Sequence, residues 1–181
     1  MVVITMDNGK KMEIELYPEI APETCANFEK LVKDGFYNGL TFHRVISDFM
    51  IQGGDPNGDG TGGSSKKIKG EFESNGYHNC IAHERGVISM ARGNDKNSAS
   101  SQFFICNTSG ESVSHLDGEY AAFGKVIYGM DVVDLITSKT APIANSNDIV
   151  PKGKQAVISS VVVISEDEAL TYLAQEQTKS N

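Results

Sequence analysis

Phe42-His43-Arg44-Val45-Ile46-Ser47-Asp48-Phe49-Met50-Ile51-Gln52-Gly53-Gly54-Asp55 sets a charged arginine inside an apolar run and closes on two glycines. Runs rich in Phe, Val and Ile and ended by Gly read as strands. An arginine in such a run either meets an acid or serves a site. Asp55 and Glu71 are the partners considered for a purely structural ion pair. A second decisive stretch is Ser101-Gln102-Phe103-Phe104-Ile105. Side chains alternate across a strand, so Gln102 and Phe104 share one face while Phe103 and Ile105 share the other. One face of each stretch thus offers a polar amide beside an apolar ring.

Outward from these stretches the chain keeps a β-rich rhythm. Residues 2–6 form a short run, and Asp7-Asn8-Gly9 is a strong hairpin signal. Met12, Ile14 and Leu16 then alternate with Lys11, Glu13 and Glu15, which predicts a strand with one wet face. Pro22 and Glu23 open a helical pattern of Cys25, Phe28, Leu31 and Val32 that Gly35 closes. Residues 53–65 read as a Gly-rich loop; residues 87–91, 102–106, 121–127 and 155–164 read as strands. Val132, Val133 and Ile136 after Gly129 predict a second short helix. Many short strands with few helices predict a mainly β domain, a barrel or a sandwich, and closure into a barrel would remove exposed edges. Residues 1–164 form one domain with no dividing linker. Residues 165–181 turn polar and predict an extension, with a short helix started by Glu166, Asp167 and Glu168 and a frayed end.

Composition narrows the function. A chain of 181 residues suits one domain with a sizeable core. A formal charge of -8 repels phosphate backbones and anionic lipid, which argues against nucleic-acid or membrane binding. Cys25, Cys80 and Cys106 are odd in number and widely spaced, which fits a reducing compartment. Residues 1–7 lack a basic leader and are too short for a signal-peptide core, and no apolar run reaches the ~20 residues of a membrane helix. A cytoplasmic monomer is expected, since no heptad or obvious apolar patch appears.

Several motifs fail on inspection. Asp55-Pro56-Asn57-Gly58-Asp59-Gly60 imitates the first half of a calcium loop, but the closing acid is replaced by Lys66. Gly58, Gly60, Gly62 and Gly63 lack the Gly-Lys-Ser/Thr of a phosphate cradle. His78, Cys80 and His83 lie close together without typical zinc spacing and read as a polar surface loop. No G-x-S-x-G elbow marks a serine nucleophile.

The surviving motifs resemble the cyclophilin family of peptidyl-prolyl cis-trans isomerases. They are FHR at 42–44, FMIQGGD at 49–55, GTGG at 60–63, SMA at 89–91, SQFFI at 101–105, LDG at 116–118 and FGKV at 123–126, in family order across residues 2–164. The resemblance implies a closed eight-stranded antiparallel β-barrel capped by two α-helices. It implies faster rotation of Xaa-Pro bonds in peptides and folding proteins, with no cofactor and no metal. It assigns Arg44 as the catalytic residue. Phe49, Met50, Phe104 and Leu116 shape the proline pocket, and Gln52 bonds the substrate backbone near Arg44. Ala91, Arg92 and Gln102 line the peptide groove. Tyr120 stands where many members have a substrate-binding histidine, and its hydroxyl can still donate. His115 replaces a tryptophan that contributes to cyclosporin binding, so only weak binding of that drug is expected. Arg92 replaces a common asparagine, and the loop 93–100 is one residue longer than usual. Ordinary core packing remains the rival account of Phe49 and Phe104, and a satisfied buried amide that of Gln52 and Gln102. The rival functions are a proline-peptide binding module or holdase chaperone with incidental isomerase activity, and a metal enzyme using His78, Cys80 and His83.

Overall fold

The computed structural model describes residues 1–165 and 167–169. Eight strands form the wall: β1 (Val2–Met6), β2 (Lys11–Leu16), β3 (Thr41–Ile46), β4 (Met50–Gly53), β5 (Val87–Met90), β6 (Phe103–Cys106), β7 (Ala122–Tyr128) and β8 (Ala156–Val163). They close in the order β1-β2-β7-β5-β6-β4-β3-β8, with every pairing antiparallel. Helix α1 (Pro22–Lys33) and helix α3 (Met130–Thr140) cap the barrel. A single-turn helix, α2 (Glu111–Ser114), adds a third that periodicity did not reveal, because one turn has no room for a 3.6-residue repeat.

Alternation sorts each strand between two apolar bodies. Val45, Ile51, Ile105 and Ile88 are aligned across β3, β4, β6 and β5 and point into the barrel core. The neighbouring row is Arg44, Gln52, Phe104 and Ser89, on the outer face of the same strands. Arg44 reaches this face through a β-bulge. Phe42 pairs with Gly53, but Arg44 pairs with Gln52, so His43 is the extra residue. Without it Phe42 and Arg44, two residues apart, would point the same way. Phe42 is instead in the core and Arg44 outside it.

The alternation of β2 is followed only in part. Met12 and Ile14 are buried as expected, but Glu13 is buried as well. Glu13 lies beside Val3 and Tyr128 in the ladder, and the outer face of β1 is covered: Val3 packs with Ile164 and Ala169. Ser165 starts that covering turn by a reciprocal cap. Its hydroxyl accepts the Glu168 N–H, and its own N–H donates to the Glu168 carboxylate. The rest of the expected extension, residues 166 and 170–181, lies outside the described residues.

Helix α1 has Pro22 in its first turn and no side-chain cap of its own. Glu71, only 3% exposed, supplies one from a distant loop. Its carboxylate accepts the N–H groups of Glu23 and Thr24 at 3.0 and 2.9 Å and the Thr24 hydroxyl at 2.7 Å. A buried anion thus meets the positive end of the helix dipole. Replacing Glu71 by alanine is expected to cost about 2 kcal/mol, roughly 4–8 °C in a thermal melt. An unchanged melting temperature would remove the cap from this account.

Candidate active site

The outer face of β3, β4, β6 and β5 carries the second apolar body: Met50, Phe104, Cys106, Val113 and Leu116, with Ile46, Phe49, Ala91 and Tyr120 packed against it. It floors a hollow of about 460 Å³. Arg44, Phe49, Met50, Gln52, Ala91, Arg92, Phe104, His115, Leu116 and Tyr120 all line this one hollow. Gln102 lines the adjoining polar hollow of about 250 Å³, which shares Gln52, Ala91 and Arg92 with the first. Residues spread over seventy-six positions from Arg44 to Tyr120 therefore meet in one place. His43, part of the FHR motif but given no site role from sequence, also lines the hollow.

Arg44 is about a third exposed and is not locked in the wall. Neither Asp55 nor Glu71 is its partner, since both carboxylates are taken by backbone N–H groups. Asp148 pairs with it instead, at 3.2 Å. Among the described residues this is the only hydrogen-bond partner of the guanidinium, which has five N–H donors.

The false calcium loop has a structural use. The Asp55 carboxylate, 1% exposed, accepts the N–H groups of Asn57, Asp59 and Gly60 and folds the loop on itself. That turn presents the carbonyls of Gly60 and Gly62 to Gln102 Nε2, at 3.1 and 2.7 Å. Gln102 Oε1 in turn accepts from Gln52 Nε2 at 2.8 Å. The two amides are thus oriented by the loop. Gly54 lets the chain leave β4 for it: its φ is +83°, and a Cβ there would stand 2.5 Å from the Ser101 carbonyl oxygen.

Aromatic contacts set the ring positions. Phe104 meets Tyr120 edge-on at 5.8 Å, and Phe49 stacks on His115 at 5.7 Å. The Arg92 guanidinium lies between rings, 4.7 Å from Tyr120 and 5.1 Å from Phe72, with its N–H groups on the carbonyl of Glu119. These contacts hold the Arg92 side chain against Tyr120 at the edge of both hollows.

His83 corrects the surface-loop reading. His78 and Cys80 are exposed, but His83 is 3% exposed and lies behind Phe104, its ring nearly parallel at 6.0 Å. Nδ1 is 2.9 Å from the Asp117 carboxylate and Nε2 is 3.0 Å from the Ser89 hydroxyl. A neutral ring with its proton on Nδ1 satisfies both. The three side chains imitate a hydrolase triad, but Ser89 is fully buried and no substrate carbonyl reaches it. His78 is bonded to Glu73, and no three His, Cys, Asp or Glu side chains among the described residues converge at metal spacing.

Burial pushes the His83 imidazole below its ordinary pKa, against the pull of Asp117; burial does the same to His43, against Asp55 and Asp59. The unfolded chain therefore binds protons that the folded one refuses. Stability is complete above the unfolded value of about 6.5 and falls as pH drops below it. The urea midpoint at pH 5.5 is expected to lie below that at pH 7.5; equal midpoints would contradict the assignment.

Comparison with known proteins gives a consistent result. Residues 1–163 match the family model described as cyclophilin type peptidyl-prolyl cis-trans isomerase/CLD. The peptidyl-prolyl cis-trans isomerase B of Bacillus subtilis is 51% identical over 126 residues, 70% of this chain and 82% of the relative. A peptidyl-prolyl cis-trans isomerase of Acinetobacter baylyi is 44% identical over 154 residues, 84% of this chain and 80% of the relative. A cyclophilin-type isomerase of Cryptosporidium parvum, crystallised in the presence of the dipeptide Ala-Pro, superposes with a TM-score of 0.77 at 32% identity, over 91% of this chain and 99% of that one.

Proposed function

The chain belongs to the cyclophilin-type peptidyl-prolyl cis-trans isomerases and accelerates rotation about Xaa-Pro bonds; from that premise we propose that Arg44 carries the catalysis. The peptide C–N bond resists rotation by about 18–20 kcal/mol because of its partial double-bond character. Twisting removes that resonance, and the nitrogen becomes pyramidal and regains a lone pair. A guanidinium N–H can bond that lone pair, which the planar ground state does not offer. The interaction therefore acts on the transition state alone. Arginine suits this better than lysine, because its charge is permanent and its fork is rigid.

The proline ring fits the apolar floor of Phe49, Met50, Phe104 and Leu116. Holding the ring while one carbonyl swings turns binding into orientation. The same floor favours the twisted amide, which is less dipolar than the planar one. Gln52 and the Tyr120 hydroxyl bond the substrate backbone. Residues ahead of the proline run along Ala91, Arg92 and Gln102 into the polar hollow under the 93–100 loop. A site that reads proline and backbone suits many polypeptide clients, which supports a chaperone role in folding. The free thiols of Cys25, Cys80 and Cys106 support a reducing location, the cytoplasm. His115 covers one wall with an imidazole stacked on Phe49, a smaller apolar surface than an indole, which favours weak cyclosporin binding.

The observation that carries this reading is Arg44 facing an apolar hollow with one weak partner. Its test follows the cis-to-trans relaxation of a Xaa-Pro peptide by NMR exchange or coupled proteolysis. A saturable rate above the uncatalysed one, unchanged by chelator, supports it. Binding without acceleration would instead establish the proline-peptide holdase.

A further inference from the structure

Asp148 belongs to none of the recognised motifs, yet it is the residue that touches Arg44. We propose that Asp148 is the positioning residue of Arg44, holding one edge of the guanidinium so that its other N–H groups face the proline hollow. The inference deepens the isomerase reading and rests on it.

Two features of the backbone point the same way. Asp148 has φ +62°, a left-handed conformation that side chains other than glycine rarely adopt. The tight turn around it is built by Asn145, whose side-chain oxygen accepts the N–H groups of Asn147 and Ile149, while its carbonyl accepts the Asp148 N–H. The same segment is stitched to β3 on both sides of Arg44. Val45 N–H donates to the Asp148 carbonyl at 3.2 Å, Val150 N–H donates to the His43 carbonyl at 2.9 Å, and Ile149 bridges Arg44 itself. Both members of the ion pair therefore grow from one hydrogen-bonded patch. Their separation is set by backbone, and the unusual φ is what turns the carboxylate toward the guanidinium.

The contact has the strength of a tether rather than a lock. It is a single bond of 3.2 Å, longer than the usual charge-assisted bond, between side chains 34% and 42% exposed. Such pairs contribute little to stability. A buried bidentate pair would hold Arg44 away from substrate, and a free arginine of this length would sample many rotamers. One weak bond restricts the rotamers and leaves the remaining donors available.

The test uses Asp148→Gly and Asp148→Asn, because both residues tolerate positive φ and the turn is retained. Parent and Arg44→Ala are assayed beside them. The Gly variant is expected to lose about five- to tenfold in kcat with KM within about twofold, the size of one ordinary hydrogen bond. The Asn variant, whose side-chain oxygen can accept the same N–H, restores most of that loss. The Arg44 Nε–H resonance is expected to be sharp in the parent and exchange-broadened in the Gly variant. A Gly variant with the kcat of the parent, or an Asn variant as slow as Gly, would overturn the proposal while leaving the isomerase reading intact. An inactive parent would instead defeat the isomerase reading itself.

Discussion

Arg44→Ala is expected to lower kcat/KM on a Xaa-Pro peptide by about 10²–10³-fold, nearly all of it in kcat. One well-aimed donor in a sheltered site contributes roughly 3–4 kcal/mol to a transition state, and each 1.36 kcal/mol is a factor of ten. KM should move little, because the planar amide of the ground state has no lone pair for the guanidinium to bond. The fold should survive: Arg44 is partly exposed, its partner Asp148 more so, and such pairs contribute about 0–1 kcal/mol. A melting temperature near that of the parent, with the rate lost, separates chemistry from unfolding. An acceleration of about 10⁵ needs roughly 7 kcal/mol, so the variant should retain measurable activity from the apolar hollow and from orientation. Equal rates for variant and parent would end the catalytic assignment.

Phe28→Ala is expected to have the largest effect on stability. Phe28 projects from α1 into the barrel end and is fully buried. Its ring lies 5.1 Å from those of Tyr37 and Phe123 and 5.6 Å from that of Phe103, the last edge-on. Truncation removes the apolar area and leaves a cavity that four separate elements would have to collapse to fill. Such changes cost about 3–5 kcal/mol, or roughly 6–20 °C in a domain of this size. The isomerase rate well below the melting temperature should persist, because the hollow lies on the opposite face of β6: Phe103 points to Phe28 while Phe104 lines the hollow. A loss of only a degree or two would show that α1 caps the barrel loosely.

The pair Phe103 and Phe104 shows how far the sequence could be read. Strand alternation alone assigned them to opposite faces, and the structure places one in the core and one in the site. The helix from Pro22, the hairpin at Asp7-Asn8-Gly9 and the apolar stripe of Val132, Val133 and Ile136 were equally legible, since each depends on neighbours a few residues apart. Glu13 and His83 were misread for the opposite reason. Each has polar character in sequence, and each is buried by segments far along the chain: Glu13 lies in a wall whose outer face is covered near Ile164, and His83 is wedged between Asp117, Ser89 and Phe104.

The residues of the candidate site, an arginine with amides and apolar rings in recurring family order, were present in the amino-acid string. Their aim was not. A single surplus residue at His43 shifts the parity of β3, so that Arg44 leaves the core side on which Phe42 lies. That slip depends on pairing with β4, and pairing is a property of two strands together rather than of either one. Asp148 reaches the guanidinium from 104 residues away through a turn stitched to the same strand. Local pattern can state which side chains are available; closure of the barrel gathers them around one hollow, because only folding converts separation along the chain into distance in space.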